Sequence, residues 1–260
     1  MGAPPEVIVH RDATLLAKAV AARLVTRLVD AQAARGTASV VLTGGGIGIA
    51  SLRALRDSPA VEAVDWRRLD VWWGDERFVP RDSEERNETQ ARDALLDHVP
   101  VDAAQVFAMP APDGPDGPDP DAAAERYAAQ LAARAAPEDH GPVPRFDVLL
   151  LGLGPEGHTA SIFPESPAVY DERPVVAVRN CPKPPPTRIT LTLPSIRAAT
   201  EVWMVTAGEE KADAVRLALG GAGPVQLPAA GAAGRSRTLW LLDRTAASRL
   251  PDGLHRIASP

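Results

Sequence analysis

The stretch FDVLLLGLGPEGHTASIFP, residues 146–164, decides the fold. Its apolar run Val148–Leu151 is typical of a strand that is buried on both faces of a parallel sheet. A glycine-rich turn follows at once and brings His158 to the end of that strand. Ligands of open α/β sheets bind at the carboxyl ends of the strands, where an imidazole can exchange protons near neutral pH. The stretch therefore predicts an α/β sheet with a candidate catalytic histidine at its edge.

The residues after His158 predict a second feature, an anion site at the start of a helix. We expect residues 159–162 to begin a short helix, whose free N–H groups would favour an anion. Ser161 is then a helix-face or ligand hydroxyl rather than a nucleophile, because the chain has no G-x-S-x-G elbow. No H-E-x-x-H motif or cysteine cluster is present either, so we expect no zinc site.

Outward from this stretch, strand patterns alternate with amphipathic helix patterns. This alternation predicts a layered, mostly parallel sheet with helices on both faces. An acidic Pro/Gly tract at 111–120 interrupts it, and we expect a flexible loop there. Since the alternation continues on both sides of the tract, residues 1–260 are predicted to form a single domain. The predicted strands cover 6–10, 39–43, 69–73, 146–151, 175–178, 188–193, 202–206 and 238–242, and the predicted helices follow Asp12 and cover 49–56, 88–96, 121–135 and 209–219.

Composition narrows the class of protein. A net charge of −6 over 260 residues argues against a general nucleic-acid binder, so an anionic substrate needs a local cluster of cations. The only cysteine, Cys181, fits a reducing compartment. The N-terminus shows no signal-peptide core, and no apolar run is long enough to cross a membrane. We therefore expect a cytoplasmic protein without membrane partners, as a monomer or small homo-oligomer.

The loop Gly44-Gly45-Gly46-Ile47-Gly48 follows a predicted strand and precedes a helix. Its successive N–H groups could cradle a phosphate, although a tight turn would need the same glycines. TGGGIGIA also resembles the cofactor loop of short-chain dehydrogenases. That motif should close the first strand, whereas here a strand and a long helix precede it. The Tyr-x-x-x-Lys pair of those enzymes is also missing, so no nucleotide cofactor is expected.

Three cations lie in motifs near predicted strand ends. Arg77, in WWGDER, can bind phosphate or carboxylate in a two-pronged way, or can form an ion pair with Asp75 or Glu76. Arg188 begins a predicted strand and points either at substrate or at solvent. Lys211, in GEEK, could meet a phosphate at a helix N-terminus or could be an ordinary surface lysine.

Four ordered segments, at 41–48, 71–87, 146–164 and 184–211, resemble those of 6-phosphogluconolactonases, in the glucosamine-6-phosphate isomerase/deaminase superfamily. The family pattern around the histidine is L-G-x-G-x-D-G-H-x-A-S-L-F-P, and this chain has Glu156 in place of the aspartate. The resemblance implies a Rossmann-like fold and hydrolysis of 6-phospho-D-glucono-1,5-lactone in the pentose phosphate pathway, with no metal or cofactor.

The same resemblance implies roles for individual residues. His158 would be the general base, Glu156 would orient it or raise its basicity, and Arg77 or loop N–H groups would stabilise the oxyanion. The phosphate would lie against residues that offer N–H groups or positive charge: Gly44, Gly45, Gly46, Arg77, Arg188 and Lys211.

Two other functions stay open at this point. A glucosamine-6-phosphate deaminase resembles G-H-I-A-F-N-E-P after the histidine, whereas this chain continues as H-T-A-S-I-F-P from His158. A non-catalytic sugar-phosphate sensor would keep the fold without turnover, although the presence of His158 and Arg77 argues against it.

Overall fold

The computed structural model describes residues 5–139, 141–251 and 256–258. Strands and helices alternate along much of this chain. The helices are α1 (Ala13–Arg35), α2 (Gly46–Arg56), α3 (Asn87–Ala94), α4 (Pro120–Arg134), α5 (Leu193–Arg197) and α6 (Ala212–Leu219). The strands are β1 (Glu6–His10), β2 (Ala38–Leu42), β3 (Leu69–Trp73), β4 (Asp75–Arg77), β5 (Val148–Leu151), β6 (Val175–Val178), β7 (Arg188–Leu191), β8 (Glu201–Thr206), β9 (Arg237–Asp243) and β10 (Arg256–Ile257).

The main sheet is parallel throughout, in the order β10-β1-β9-β8-β5-β2-β3. Helices α1, α2 and α3 bury their apolar side chains against one face, and α4, α5 and α6 against the other. Along the central strand, Val148 and Leu150 enter one core while Leu149 and Leu151 enter the other. The layered α/β fold predicted from the sequence is therefore confirmed, and the apolar run of β5 is explained by burial on both faces.

A second sheet, which the sequence patterns did not predict, has three antiparallel strands in the order β4-β7-β6. Its strand β4 follows β3 after the single residue Gly74, so the chain passes directly from one sheet to the other. The predicted strand 188–193 is too long, because Leu193 already begins α5 and Pro194 occupies its first turn. Residues 111–119 form turns that lead into α4; the flexibility of this loop and the single-domain boundary stay predictions.

Strand register brings four loops to one edge of the main sheet. Leu42 lies opposite Trp73, Val41 opposite Leu149, and Leu151 opposite Met204. The chain segments that follow β2, β3, β5 and β8 therefore meet at the carboxyl edge of the sheet, where open α/β sheets bind ligands. Among the described residues, no helix combines the length and the apolar character needed to cross a membrane.

Candidate active site

A cavity of about 300 Å³ opens where these loops meet. Its walls include most of the predicted site residues: Gly44, Gly45, Arg77, His158, Arg188 and Lys211. Gly46 lines an adjoining cavity of about 660 Å³, which shares Gly44, Gly45 and Lys211 with the first. Glu156 lies behind His158, against its ring. The structure thus brings together residues that are up to 167 positions apart in the chain (44 to 211).

The loop after β5 is built to place the His158 ring. Gly154 N–H donates to the His158 carbonyl at 2.9 Å, and Gly157 adopts a left-handed φ of 92°, so the chain reverses on itself. A Cβ on Gly154 would overlap the imidazole, so only glycine permits this approach. Phe163 stacks on the other side of the ring at a centroid distance of 4.5 Å. The His158 side chain is held on both sides and is 16% exposed, toward the cavity.

Burial and nearby charges leave the pKa values of both His158 and Glu156 below their usual values. Burial lowers the pKa of His158 below its usual value; Glu156 and Asp75 oppose this effect, and Lys183 adds to it. Glu156 Oε1 lies 2.9 Å from Nδ1 of His158, but off the direction of a hydrogen bond. Burial tends to raise the pKa of Glu156, yet its own backbone N–H, His158 and Lys183 together hold it below the usual value. A neutral imidazole beside a carboxylate can accept a proton.

The predicted helix at 159–162 is wrong. Thr159 and Ile162 instead pair across a tight turn, with Ala160 at a left-handed φ of 48°. The N–H of Ser161 donates to Thr190 Oγ1 at 3.2 Å and is therefore not free for an anion. Ser161 is fully buried and its hydroxyl donates to Asp75 Oδ2 at 2.6 Å, so it lies on no exposed helix face and does not line the cavity.

Arg77 is fixed by its neighbours on the opposite wall. Its Nη1 donates to Asn87 Oδ1 at 2.6 Å and to the Glu85 carbonyl at 2.8 Å, rather than to the carboxylates of Asp75 and Glu76. Asn87 Nδ2 in turn donates to the Asp75 carbonyl at 2.8 Å. A Cβ on Gly44 would overlap the Asn87 side chain. Gly44 is thus needed for the packing that holds Arg77, whatever it does for a ligand.

Glu76 organises the start of α3 beneath this wall. Its carboxylate accepts N–H hydrogen bonds from Arg77, Asn87 and Glu88 at 2.7–2.9 Å, and Arg86 lies 3.8 Å away. Burial raises the pKa of Glu76 to about 7, against the effect of Arg86 and these three N–H groups. Glu76 faces the protein interior, whereas its neighbour Asp75 lines the cavity. Glu76 therefore positions Asn87, whereas Asp75 lies in the cavity wall, where it accepts the hydrogen bond of Ser161.

The loop after β2 leaves N–H groups open. Helix α2 begins at Gly46, three residues earlier than predicted, and its N-cap Gly45 provides no side-chain hydrogen bond. A Cβ on Gly45 or Gly46 would meet no atom within 4 Å, so the space beside this turn is empty. Lys211 lines the same two cavities from the turn after β8. Burial lowers the pKa of Lys211, with Lys183 acting the same way and Glu210 opposing. A helix N-terminus and an ammonium group there favour an anion.

Arg188 points inward rather than to solvent. It is 6% exposed, and its Nε and Nη2 donate to the carbonyls of Lys183, Pro184 and Pro185 at 3.2 Å. Its Nη1 has no hydrogen-bond partner within the described chain. Most of the guanidinium therefore supports its own loop.

Sequence reasoning missed two charged residues of the cavity wall, Lys183 and Asp75. Lys183 Nζ lies 3.0 Å from Glu156 Oε2. Its scarcity was a usable signal, because the chain has lysines only at 18, 183 and 211. Asp75 was treated as a structural partner, and nothing in the sequence showed that it faces the cavity while Glu76 faces away.

Known proteins resemble this chain over its whole length. A family model described as glucosamine-6-phosphate isomerases/6-phosphogluconolactonase matches residues 11–240. The chain is 61% identical to a 6-phosphogluconolactonase of Streptomyces coelicolor, with both chains fully covered. It is 56% identical to one of Mycobacterium tuberculosis, over 92% of this chain and 96% of that protein. The solved 6-phosphogluconolactonase of Trypanosoma brucei superposes with a TM-score of 0.79 at 30% identity, over 95% of this chain and 99% of that one. The chain therefore belongs to the glucosamine-6-phosphate isomerase/6-phosphogluconolactonase family.

Proposed function

We propose that this protein hydrolyses 6-phospho-D-glucono-1,5-lactone to 6-phospho-D-gluconate, a step of the pentose phosphate pathway. The observation that carries the proposal is the position of His158, with Glu156 against its ring, in a cavity whose other walls hold cations and open N–H groups. Burial lowers the pKa of His158, which favours the form that can accept a proton. Relatives that bear the name 6-phosphogluconolactonase match the chain at 61% and 56% identity. The activity needs both a base for water and an anion site at some distance from it.

His158 is the general base of the proposed reaction. Nδ1 faces Glu156, so Nε2 takes a proton from the water that attacks C1 of the lactone. The oxyanion that forms on the carbonyl oxygen is stabilised by Arg77 or by loop N–H groups. When the intermediate collapses, the bond from C1 to the ring oxygen breaks, and the ring oxygen takes the proton from His158. The product is the open acid with a free 5-hydroxyl, and its carboxyl group then loses a proton to solvent.

Binding of the phosphate group positions the lactone in the cavity. Its proposed site is the open N-terminus of α2, at Gly44–Gly46, together with Lys211. Arg77, held by Asn87, and the remaining nitrogen of Arg188 line the same cavity and supply further charge. Binding energy from a group far from C1 can be used to orient the reacting atoms. Absence of nucleic-acid partners and a monomeric or small homo-oligomeric state stay predictions.

A turnover assay separates this proposal from the two alternatives. The purified protein is given the phosphorylated lactone, and acid release is followed after subtraction of spontaneous hydrolysis. In parallel it is given glucosamine 6-phosphate, and ammonia is measured. We expect lactone hydrolysis and no ammonia. Ammonia release alone would identify a deaminase, and binding of the sugar phosphate without either reaction would identify a sensor.

A further inference from the structure

We propose that Lys183 is a positioning residue: its ammonium anchors Glu156 beside the imidazole rather than in line with it, which keeps His158 free to act as a base. The inference extends to Arg188, which fixes the loop that carries Lys183. It rests on the proposed lactonase function, which assigns His158 its task.

The contacts around Glu156 show how its carboxylate is shared. Oε2 lies 3.0 Å from Lys183 Nζ, and Oε1 lies 2.9 Å from His158 Nδ1. The first contact is a hydrogen bond, whereas the second is not aligned as one. A carboxylate aligned with Nδ1–H would accept its hydrogen bond and stabilise the imidazolium, so that at a given pH a larger fraction of His158 would be protonated and unable to accept a proton. Lys183 competes for the carboxylate and prevents this.

The loop that carries Lys183 has few hydrogen-bond donors of its own. Residues 184–186 are three prolines, which have no N–H to donate, so the carbonyls of this segment need donors from elsewhere. Arg188 supplies them, with hydrogen bonds to the carbonyls of Lys183, Pro184 and Pro185. Cys181 N–H adds one more, to the Pro186 carbonyl at 2.9 Å. A buried guanidinium thus sets where the Lys183 side chain begins.

The charged groups that face His158 shift its pKa in opposite directions. Burial and Lys183 lower the pKa of His158, while Glu156 and Asp75 raise it. The same two charges act on Lys211: Lys183 lowers the pKa of Lys211, and Glu156 raises it. Loss of the Lys183 charge therefore raises the pKa of His158, both directly and by releasing Glu156 to align with Nδ1. Loss of the Glu156 charge lowers it.

The test is the pH dependence of Lys183→Met. The acidic limb of its kcat/KM profile moves to higher pH, and the rate on the high-pH plateau falls by no more than about two- to fivefold, as for a half-exposed ion pair. Titration of the His158 imidazole by NMR gives the same shift without any turnover. Lys183→Arg restores the wild-type limb, because it keeps the charge. Arg188→Lys, which keeps the charge but cannot reach three carbonyls, moves the limb in the same direction as Lys183→Met.

Arg145→Met is the matched control. Arg145 is exposed and precedes β5, at the end of the strand opposite the cavity, so the same loss of charge there leaves the limb in place. An unchanged limb and an unchanged His158 titration in Lys183→Met would overturn the inference, and so would a raised KM as its only effect, which would make Lys183 a phosphate ligand. A wild-type protein without lactonase activity would instead overturn the proposed function, while the NMR titration would still judge the role of Lys183.

Discussion

The two glycine-rich loops at the sheet edge have similar sequences but different backbone structures. TGGGIG at 43–48 follows β2, and GLGPEGH at 152–158 follows the neighbouring strand β5. The first continues into α2 and leaves N–H groups open. The second turns back on itself, with Gly154 N–H bonded to the His158 carbonyl, and delivers a side chain. In the proposed function, the first loop therefore offers backbone N–H groups to the phosphate, and the second offers a base to water.

The glycines of the two loops show the same division. Gly154 is needed because a Cβ would strike His158, and Gly44 because a Cβ would strike Asn87. Gly46 has open space beside it and an ordinary helical role at the start of α2. A glycine in such a loop can thus serve a neighbouring side chain, a backbone turn or a ligand, and only the structure separates these reasons.

The largest effect is expected from the substitution that removes the proposed general base. His158→Ala should lower kcat by about 10²–10⁴-fold, the usual contribution of general base catalysis, with the fold intact. His98→Ala is the control, because His98 is exposed and remote from the cavity wall. The measurement is steady-state lactone hydrolysis, with circular dichroism to check folding. A folded His158→Ala variant with near wild-type kcat would remove His158 from the mechanism.

The second prediction compares the two loops by adding one methyl group to a glycine of each. Gly154→Ala forces the His158 ring out of place and should lower kcat about 100-fold, the loss expected for misplacement by about 1 Å. Gly46→Ala adds the same methyl group where no protein atom lies, and should act on KM for the phosphorylated lactone while kcat stays within about threefold. Similar kcat losses in both variants would contradict the division of work between the loops.

A smaller effect concerns the pH profile. Because only neutral His158 is a base, kcat/KM should rise with pH through the pKa of His158, which burial places below its usual value of 6.5. Glu156 opposes that lowering, so Glu156→Gln should move the acidic limb to still lower pH and reduce the plateau rate. Unchanged pH dependence with a lowered melting temperature would instead show that Glu156 only stabilises the loop.

The smallest expected effect is that of a chelator. Within the described residues, no three His, Cys, Asp or Glu side chains are grouped as a metal site requires. We therefore expect EDTA to leave the rate of lactone hydrolysis unchanged. Loss of activity that a single metal ion restores would show that the mechanism above lacks a component.

Much of the fold could be predicted because the spacing of apolar residues along the chain matches the side chains that the helices and strands bury. The run Val148–Leu151 showed a central parallel strand, and Asp12 was recognised as the cap of α1, where it accepts the N–H of Leu15 at 2.9 Å. The small antiparallel sheet escaped prediction, since β4 is three residues long and its partner β7 is 111 positions later (77 to 188). Such pairing depends on tertiary contacts rather than on local pattern.

The site could be predicted in its residues but not in their directions. His158 lies on the predicted loop after β5, whereas Arg77 lies on strand β4 rather than in a loop, and Lys211 lies in a turn before α6 rather than in the predicted helix 209–219. The turn at 159–162 depends on a left-handed φ at Ala160, a conformation that an alanine in the sequence does not indicate. Asp75 and Glu76 are consecutive residues of β4, so their side chains point to opposite sides of the strand: Asp75 lines the cavity and Glu76 is buried in the interior. The link from Arg188 to Lys183 runs through proline carbonyls, and a linear motif cannot show that geometry.

The measurement that most directly tests the division of work is the ratio of kcat/KM for phosphorylated over unphosphorylated glucono-1,5-lactone. It is compared in the wild type, Lys211→Ala and His158→Ala. A charge-assisted hydrogen bond is worth roughly 1.5–3 kcal/mol, so Lys211→Ala should lower the ratio about ten- to hundredfold. His158→Ala should slow both substrates and leave the ratio unchanged. A ratio that stays constant in Lys211→Ala, or that collapses in His158→Ala, would contradict the assignment of phosphate to the first loop and of the base to the second.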